Sequence, residues 1–225
     1  MKYKKNMKKL KGDASQRIFY RHSKLKSSSI YIYSKKDKKS NLLIYDAINR
    51  ILLKNKILAP KLINEQYLKN FIEIEDFGNQ TIFNQLGKKK VNKIKIFKEI
   101  INLLNKIQKI KLRKIKNFKK EIYHVPEYTQ KILLKEAMLF SDWYVAKKLS
   151  KSKQLSFRKS FKLIIKKLIK QLLLKNNIFV HRDFHVSNLM IIKNKIGIID
   201  SQDALFGNKA YDLASLIDDV RFKTS

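Results

Sequence analysis

His181-Arg182-Asp183-Phe184-His185-Val186-Ser187-Asn188 is the stretch that decides how this chain folds. It follows one short apolar run, Ile178 to Val180, and precedes another, Leu189 to Ile192, so it reads as a loop between two short strands. Ile196 to Ile199 reads as the partner of the second strand, with Lys193-Asn194-Lys195 as the turn. Asp200 stands at the end of that run, twelve residues after Asn188, where a carboxylate emerges at the mouth of the core. Two carboxylates and an amide are thus gathered within 18 residues on a loop and a strand pair.

Working outward, Tyr211 opens a final helix, and two longer helices are predicted upstream, over Tyr128 to Leu149 and Ser156 to Leu174. Lys93 to Ile110 carries Ile96, Ile100, Leu103, Leu104 and Ile107 at helical spacing, and Lys111 to Lys120 reads as a basic connection. The first 80 residues have another grammar: a strand over Arg17 to His22, a second over Ser27 to Ser34 and a helix over Leu42 to Lys54. Short strands at Lys61 to Ile63 and Phe71 to Ile74 follow. Met1 to Lys11 reads as a frayed basic leader or short helix, and Gly12 to Ser15 as a turn. This order predicts an α+β, two-lobed chain with a small antiparallel sheet over residues 1–78 and a mainly helical lobe over 79–225.

Composition excludes several classes. Hydrophobic residues make up 44% of the chain, too many for a disordered one. No cysteine is present, which rules out disulfides and thiolate metal sites and fits a reducing, cytoplasmic setting. The most apolar run, Phe161 to Leu174, is interrupted by four lysines, so no membrane span is expected. No apolar stretch follows the lysine-rich start, so no cleavable leader is expected either. The net charge of +34 invites a nucleic-acid reading. Nearly all of it is lysine, however, alongside excess Asn and Ile and scarce Gly and Pro, which reads as an adenine- and thymine-rich codon bias spread over the surface. Neither arginine forks nor interleaved aromatics concentrate anywhere, so no specific nucleic-acid partner is expected.

The central stretch carries the chemistry. Phosphoryl transfer needs an oriented acceptor hydroxyl relieved of its proton, a magnesium ion bridging phosphate oxygens, and a cradle for the nucleotide phosphates. Asp183 and Asn188 have the spacing of a kinase base and magnesium ligand, and Asp200 supplies a second hard-oxygen ligand. His181 is read as packing the loop, Arg182 as pairing with a carboxylate to hold it, and Asp203 as a further metal or bracing carboxylate. His185 is either a solvated loop residue or a substrate contact.

These segments, with Ile199-Asp200-Ser201-Gln202-Asp203-Ala204 and Ala210-Tyr211-Asp212-Leu213-Ala214-Ser215-Leu216, resemble the aminoglycoside phosphotransferase and choline kinase superfamily. The likeness is greatest to bacterial kinases of the anomeric hydroxyl of N-acetylmuramate and N-acetylglucosamine, which serve cell-wall recycling. Gly12-Asp13-Ala14-Ser15-Gln16-Arg17 resembles their nucleotide loop, Glu75-Asp76-Phe77-Gly78 their hinge, and Glu136 to Tyr144 their substrate-side helix. The resemblance implies a protein-kinase-like fold, ATP and magnesium as cofactors, and a small hydroxylated acceptor, an amino sugar first among them. Other acceptors, such as aminoglycosides or choline, a nucleotide-binding pseudokinase, and, last, a basic nucleic-acid-binding protein stand as alternatives. It implies adenine against Ile74 to Asp76, phosphates near Gly12, Ser15 and Arg17, and Asp212 supporting the catalytic loop. Glu136, Phe140 and Trp143 would share one helix face, suited to a sugar ring or equally to a core stripe, which makes Glu136 and Trp143 candidate substrate residues.

Two departures stand out. The strand lysine and helix glutamate that hold phosphates in protein kinases have no counterpart: Ser27 to Ser34 carries no cation, and Asp46 is the only acid of the following helix. Arg17 is the candidate replacement. The family also usually continues well beyond the Tyr211-Asp212-Leu213 segment, so the chain is expected to be C-terminally shortened or a fragment.

Overall fold

The structure, a computed structural model, describes residues 6–10, 17–25, 27–172 and 175–222. Alternating side chains build the first layer. Strands β1 (Met7–Lys9), β2 (Arg17–Lys24), β3 (Ser27–Ser34), β4 (Leu62–Gln66) and β5 (Phe71–Glu75) form one antiparallel sheet in the order β1-β2-β3-β5-β4. In the middle of it Ile30 faces Ile74 and Ile32 faces Ile72. Helix α1 (Ser40–Lys54) lies between β3 and β4 in sequence and presents Leu42 and Tyr45 to those isoleucines. Its Ala47, Ile48, Ile51 and Leu52 enter the larger core. The lysine-rich leader is corrected here. Met7–Lys9 is an edge strand, paired Met7 to His22 and Lys9 to Tyr20. Backbone hydrogen bonds make that pairing and its side chains stay largely exposed, so hydrophobic periodicity carried no sign of it.

The remainder is mainly helical. Helix α2 (Ile82–Leu86) begins at Thr81, whose hydroxyl accepts from the Asn84 amide; α3 (Lys93–Gln108) begins at Asn92, capped through the Lys95 amide. Ile100, Leu103, Leu104 and Ile107 of α3 are buried as their spacing requires. The basic connection contains an unforeseen hairpin, β6 (Lys114–Lys116) with β7 (Ile122–His124), in which Ile115 alone is buried. The single helix predicted over Tyr128 to Leu149 is broken. Helix α4 (Gln130–Leu139) widens into a π-helical turn at Phe140–Tyr144 and a 3-10 turn at Val145–Lys147 before α5 (Lys151–Gln171). Phe140 there stacks on Tyr144 and packs against Phe157 and Phe161 of α5.

Next come β8 (Ile178–Val180), β9 (Leu189–Ile192), β10 (Lys195–Ile198), β11 (Leu205–Gly207) and α6 (Tyr211–Ile217). β9 pairs with β10 through Lys193 and Asn194, both at positive φ, the hairpin geometry that asparagine tolerates. β8 pairs with β11. The two layers are stitched at Gly197. Its strand meets Leu58, and a Cβ there would fall 2.5 Å from Ile192 Cδ1 and 2.9 Å from Phe77 Cε2. One buried cluster runs from α1 through α3 to Phe184 and Phe206, so the β9–β10 hairpin rests on the core shared by both layers. Among the described residues no helix is long and apolar enough to cross a membrane.

Candidate active site

The loop after β8 alternates. Phe184, Val186 and Leu189 are fully or almost fully buried, which turns Asp183, His185, Ser187 and Asn188 toward a cleft of about 560 Å³. Arg182 sits at φ +76°, a conformation costly for a residue with a Cβ. Asp212, at the start of α6 and wholly buried, holds it there: its carboxylate accepts from the backbone amides of His181 at 2.7 Å and Arg182 at 2.9 Å. Burial raises Asp212 to about 6, and those two amides pull against the rise. The His181 ring is completely buried and burial lowers it to about 4, so it is neutral at neutral pH. Asn188 closes the loop, its Nδ2 donating to the Asp183 carbonyl at 3.0 Å and lying 3.2 Å from His185 Nε2.

Asp200 follows β10 at φ +62° and projects into the same cleft. Arg17, at the start of β2, meets its Oδ1 at 2.9 Å. That guanidinium is itself nearly buried, between the rings of Phe19 at 5.6 Å and Tyr45 at 5.8 Å. Asp183 is pushed above the ordinary carboxylate range, first by burial and then by Asp200 and Asp203, against the pull of Arg182 and Arg221. Asp203 also lines the cleft and accepts from Gln202 Nε2 at 2.7 Å. Five acidic residues, Glu75, Asp76, Asp183, Asp200 and Asp203, line this one cavity of a chain that has 18. Asn188 commits its Nδ2 to the loop and leaves Oδ1 as its acceptor. With the Asp200 carboxylate this makes a pair of hard-oxygen donors. Such a pair fits magnesium, which is held by one or two protein oxygens plus substrate phosphates.

Opposite the loop, Ile74, Glu75, Asp76, Phe77 and Gly78 form the cleft wall, Gly78 at φ +79°. Arg21 clamps this segment: Nε lies 2.6 Å from Asp76 Oδ2, Nη2 donates to Asp76 Oδ1 and the Gly78 carbonyl, and Nη1 reaches Asn79. Burial pushes Asp76 upward, but Ser28, Arg21 and the Gly78 amide outweigh it and hold the carboxyl below the ordinary range. The Asp76 side chain therefore braces the wall. Gly12 and Ser15 lie outside the described residues.

The substrate-side candidates separate. Glu136 does not line the cleft; its carboxylate is taken up by Arg182 Nη2 and the Tyr128 hydroxyl, and Arg182 Nη1 donates to the Asp203 carbonyl at 3.3 Å. Arg182 thus finds the carboxylate partner expected for it, on α4. Trp143 is 68% exposed and off the cleft. The π turn ends the α-helical spacing that would have aligned it with Glu136. Sequence reasoning assigned nothing to Tyr45, Asn49 or Arg221. Arg221 lines the cleft and is anchored to the buried Asp219 carboxylate at 3.2 Å. The one signal available was the scarcity of arginine in a lysine-rich chain, where each arginine stands out as a forked donor.

The chain is similar to known proteins in sequence and in fold. The chain is 27% identical over 211 residues to the N-acetylmuramate/N-acetylglucosamine kinase of Neisseria meningitidis serogroup B, covering 92% of this chain and 60% of that protein. It is 26% identical over 208 residues to the Pseudomonas putida kinase of the same name, covering 92% of this chain and 58% of that protein. It therefore spans about 60% of the length of these curated relatives. Among solved structures, the gentamicin complex of APH(2")-IIa superposes with a TM-score of 0.68 at 15% identity, covering 97% of this chain and 72% of that one. Choline kinase LicA from Streptococcus pneumoniae superposes at 0.65 with 14% identity, covering 97% and 70%. These establish a two-lobed, kinase-like α+β fold. The signature of the phosphotransferase enzyme family matches residues 7–225, and the chain belongs to that family.

Proposed function

We propose that this chain carries the site of an ATP- and magnesium-dependent kinase that moves the γ-phosphate of ATP to a hydroxyl of an amino sugar, N-acetylmuramate or N-acetylglucosamine. The observation that carries the reading is the convergence of Asp183, Asn188 and Asp200 in one cleft beneath the wall Ile74 to Gly78. The acceptor class rests on the names of the curated relatives. On the same reading the lobes divide at 78/79, which the positive φ of Gly78 and the Arg21 clamp support.

Asp183 takes the acceptor proton as the sugar oxygen bonds to the γ-phosphorus. The bond from that phosphorus to the β–γ bridging oxygen breaks, and ADP leaves with its electron pair. Burial and the neighbouring Asp200 and Asp203 raise the proton affinity of Asp183, which makes it a better base than a solvated carboxylate. Asn188 Oδ1 and Asp200 would hold the magnesium, which supplies charge neutralisation across the phosphate oxygens when bound. Arg17, already among the cleft's acids, would contact phosphate in place of the absent strand lysine. Adenine would lie against the backbone of Ile74 to Asp76.

ADP release from magnesium-ATP should be screened over N-acetylmuramate, N-acetylglucosamine, aminoglycosides and choline, with the product mapped by phosphorus and proton NMR. An amino-sugar phosphate is expected, with turnover lost in Asp183→Ala while nucleotide binding survives. Full turnover in that variant would sink the reading. Turnover only with aminoglycosides or choline would overturn the acceptor class.

A further inference from the structure

The absent lysine–glutamate pair poses a mechanical question. In protein kinases it ties the sheet-side helix to the cleft. Here β3 has no cation, and Asp46, the only acid of α1, is spent on Arg50 of the same helix at 2.7 Å. Some other contact must connect α1 to the phosphate-binding machinery.

Asn49 makes one. It lies on α1, 3% exposed, with both ends of its amide engaged. Oδ1 accepts from the Ser201 hydroxyl at 2.6 Å, and Nδ2 donates to the Pro60 carbonyl at 3.0 Å. Flipping the amide would set its oxygen against the Pro60 carbonyl, which can only accept, so the side chain has one orientation. Ser201 is completely buried and directly follows Asp200, whose backbone is held at φ +62°. A non-glycine residue keeps such a conformation only when its surroundings over-determine it. Tyr45, one turn earlier on α1, shares a hydrogen bond with Asn49 and places its ring against the Arg17 guanidinium that meets Asp200. Asp200 is therefore held twice from one helix, at its carboxylate through Arg17 on Tyr45 and at its backbone through Ser201 on Asn49.

We infer that Asn49 is the positioning residue for Asp200, acting through the Ser201 hydroxyl to tie α1 to the magnesium-binding loop in place of the strand-lysine and helix-glutamate pair. The functional consequence rests on the proposed role of Asp200. A partner lying behind a metal ligand, when removed, costs about 10- to 100-fold in metal affinity.

The test measures ADP binding by calorimetry against magnesium concentration for wild type, Asn49→Ala, Ser201→Ala and the double variant, with melting curves for each. Each single variant is expected to raise the half-saturating magnesium by about tenfold, with metal-free ADP affinity unchanged. The double variant should be no worse than the worse single, because both changes cut one link. Ser201→Ala removes a single hydroxyl and keeps the Pro60 bond, so it carries the test if Asn49→Ala fails to fold. Wild-type magnesium dependence in the variants, or effects that multiply in the double, would overturn the inference while leaving the kinase reading intact. ADP binding indifferent to magnesium in the wild type would instead remove the role of Asp200, and the inference with it.

Discussion

Asp212 shows how one side chain sets the loop between β8 and β9. Its two oxygens receive the amides of His181 and Arg182, so the loop's left-handed residue is held by a buried carboxylate at the start of α6. Burial raises it from the ordinary 3.8 to about 6. Between those pH values the folded chain keeps a proton that the unfolded chain has released. The associated stability is complete below the ordinary value and is lost as pH rises through about 6. Urea unfolding across pH 4 to 7 is expected to show this decline in the wild type and not in Asp212→Asn. Parallel curves would contradict the assignment. His181 acts in the opposite sense, since its lowered value favours the folded chain at higher pH, but it is common to both proteins and cancels in the comparison.

At the scale of elements, the β9–β10 hairpin is the base of the site, and its fit against the rest turns on Gly197. A Cβ there would meet Ile192 and Phe77 side chains and lie 3.3 Å from the Leu58 carbonyl. The backbone atom cannot move aside as a flexible side chain does. Gly197→Ala is expected to destabilise by about 2 kcal/mol, read as a lower urea midpoint with an unchanged slope. An unchanged midpoint would mean that the two side chains repack freely. Elements also mark where periodicity is blind. The α3 stripe was legible because four apolar residues share one face over many turns. β6 and β7 bury one isoleucine between lysines, and the π turn at Phe140–Tyr144 answers to a four-ring cluster assembled with α5, so neither leaves a local pattern.

For the whole molecule the distribution of charge matters more than its total. The net charge is +34, yet five acids converge on one cleft and two of them, Asp76 and Asp200, are paired with arginines. A diffuse lysine surface binds polyanions through counterion release, which collapses as salt rises. Filter binding to single-stranded nucleic acid is expected at low salt and to vanish near physiological ionic strength. Tight, sequence-dependent binding that persists there would argue for a nucleic-acid role. The sequence by itself determined the loop between β8 and β9, the gathering of Asp183, Asn188 and Asp200 about it, and the order of most elements. These depend on spacings within a few turns or strands, where covalent connection fixes who can meet. Only the tertiary structure decided that Arg17 meets Asp200 across 183 residues, that Asn49 meets Ser201 across 152, and that Glu136 serves Arg182 rather than the open cleft. Such partners are brought together by burial of the shared core, and a polar side chain carries no mark in the sequence of which distant group will satisfy it.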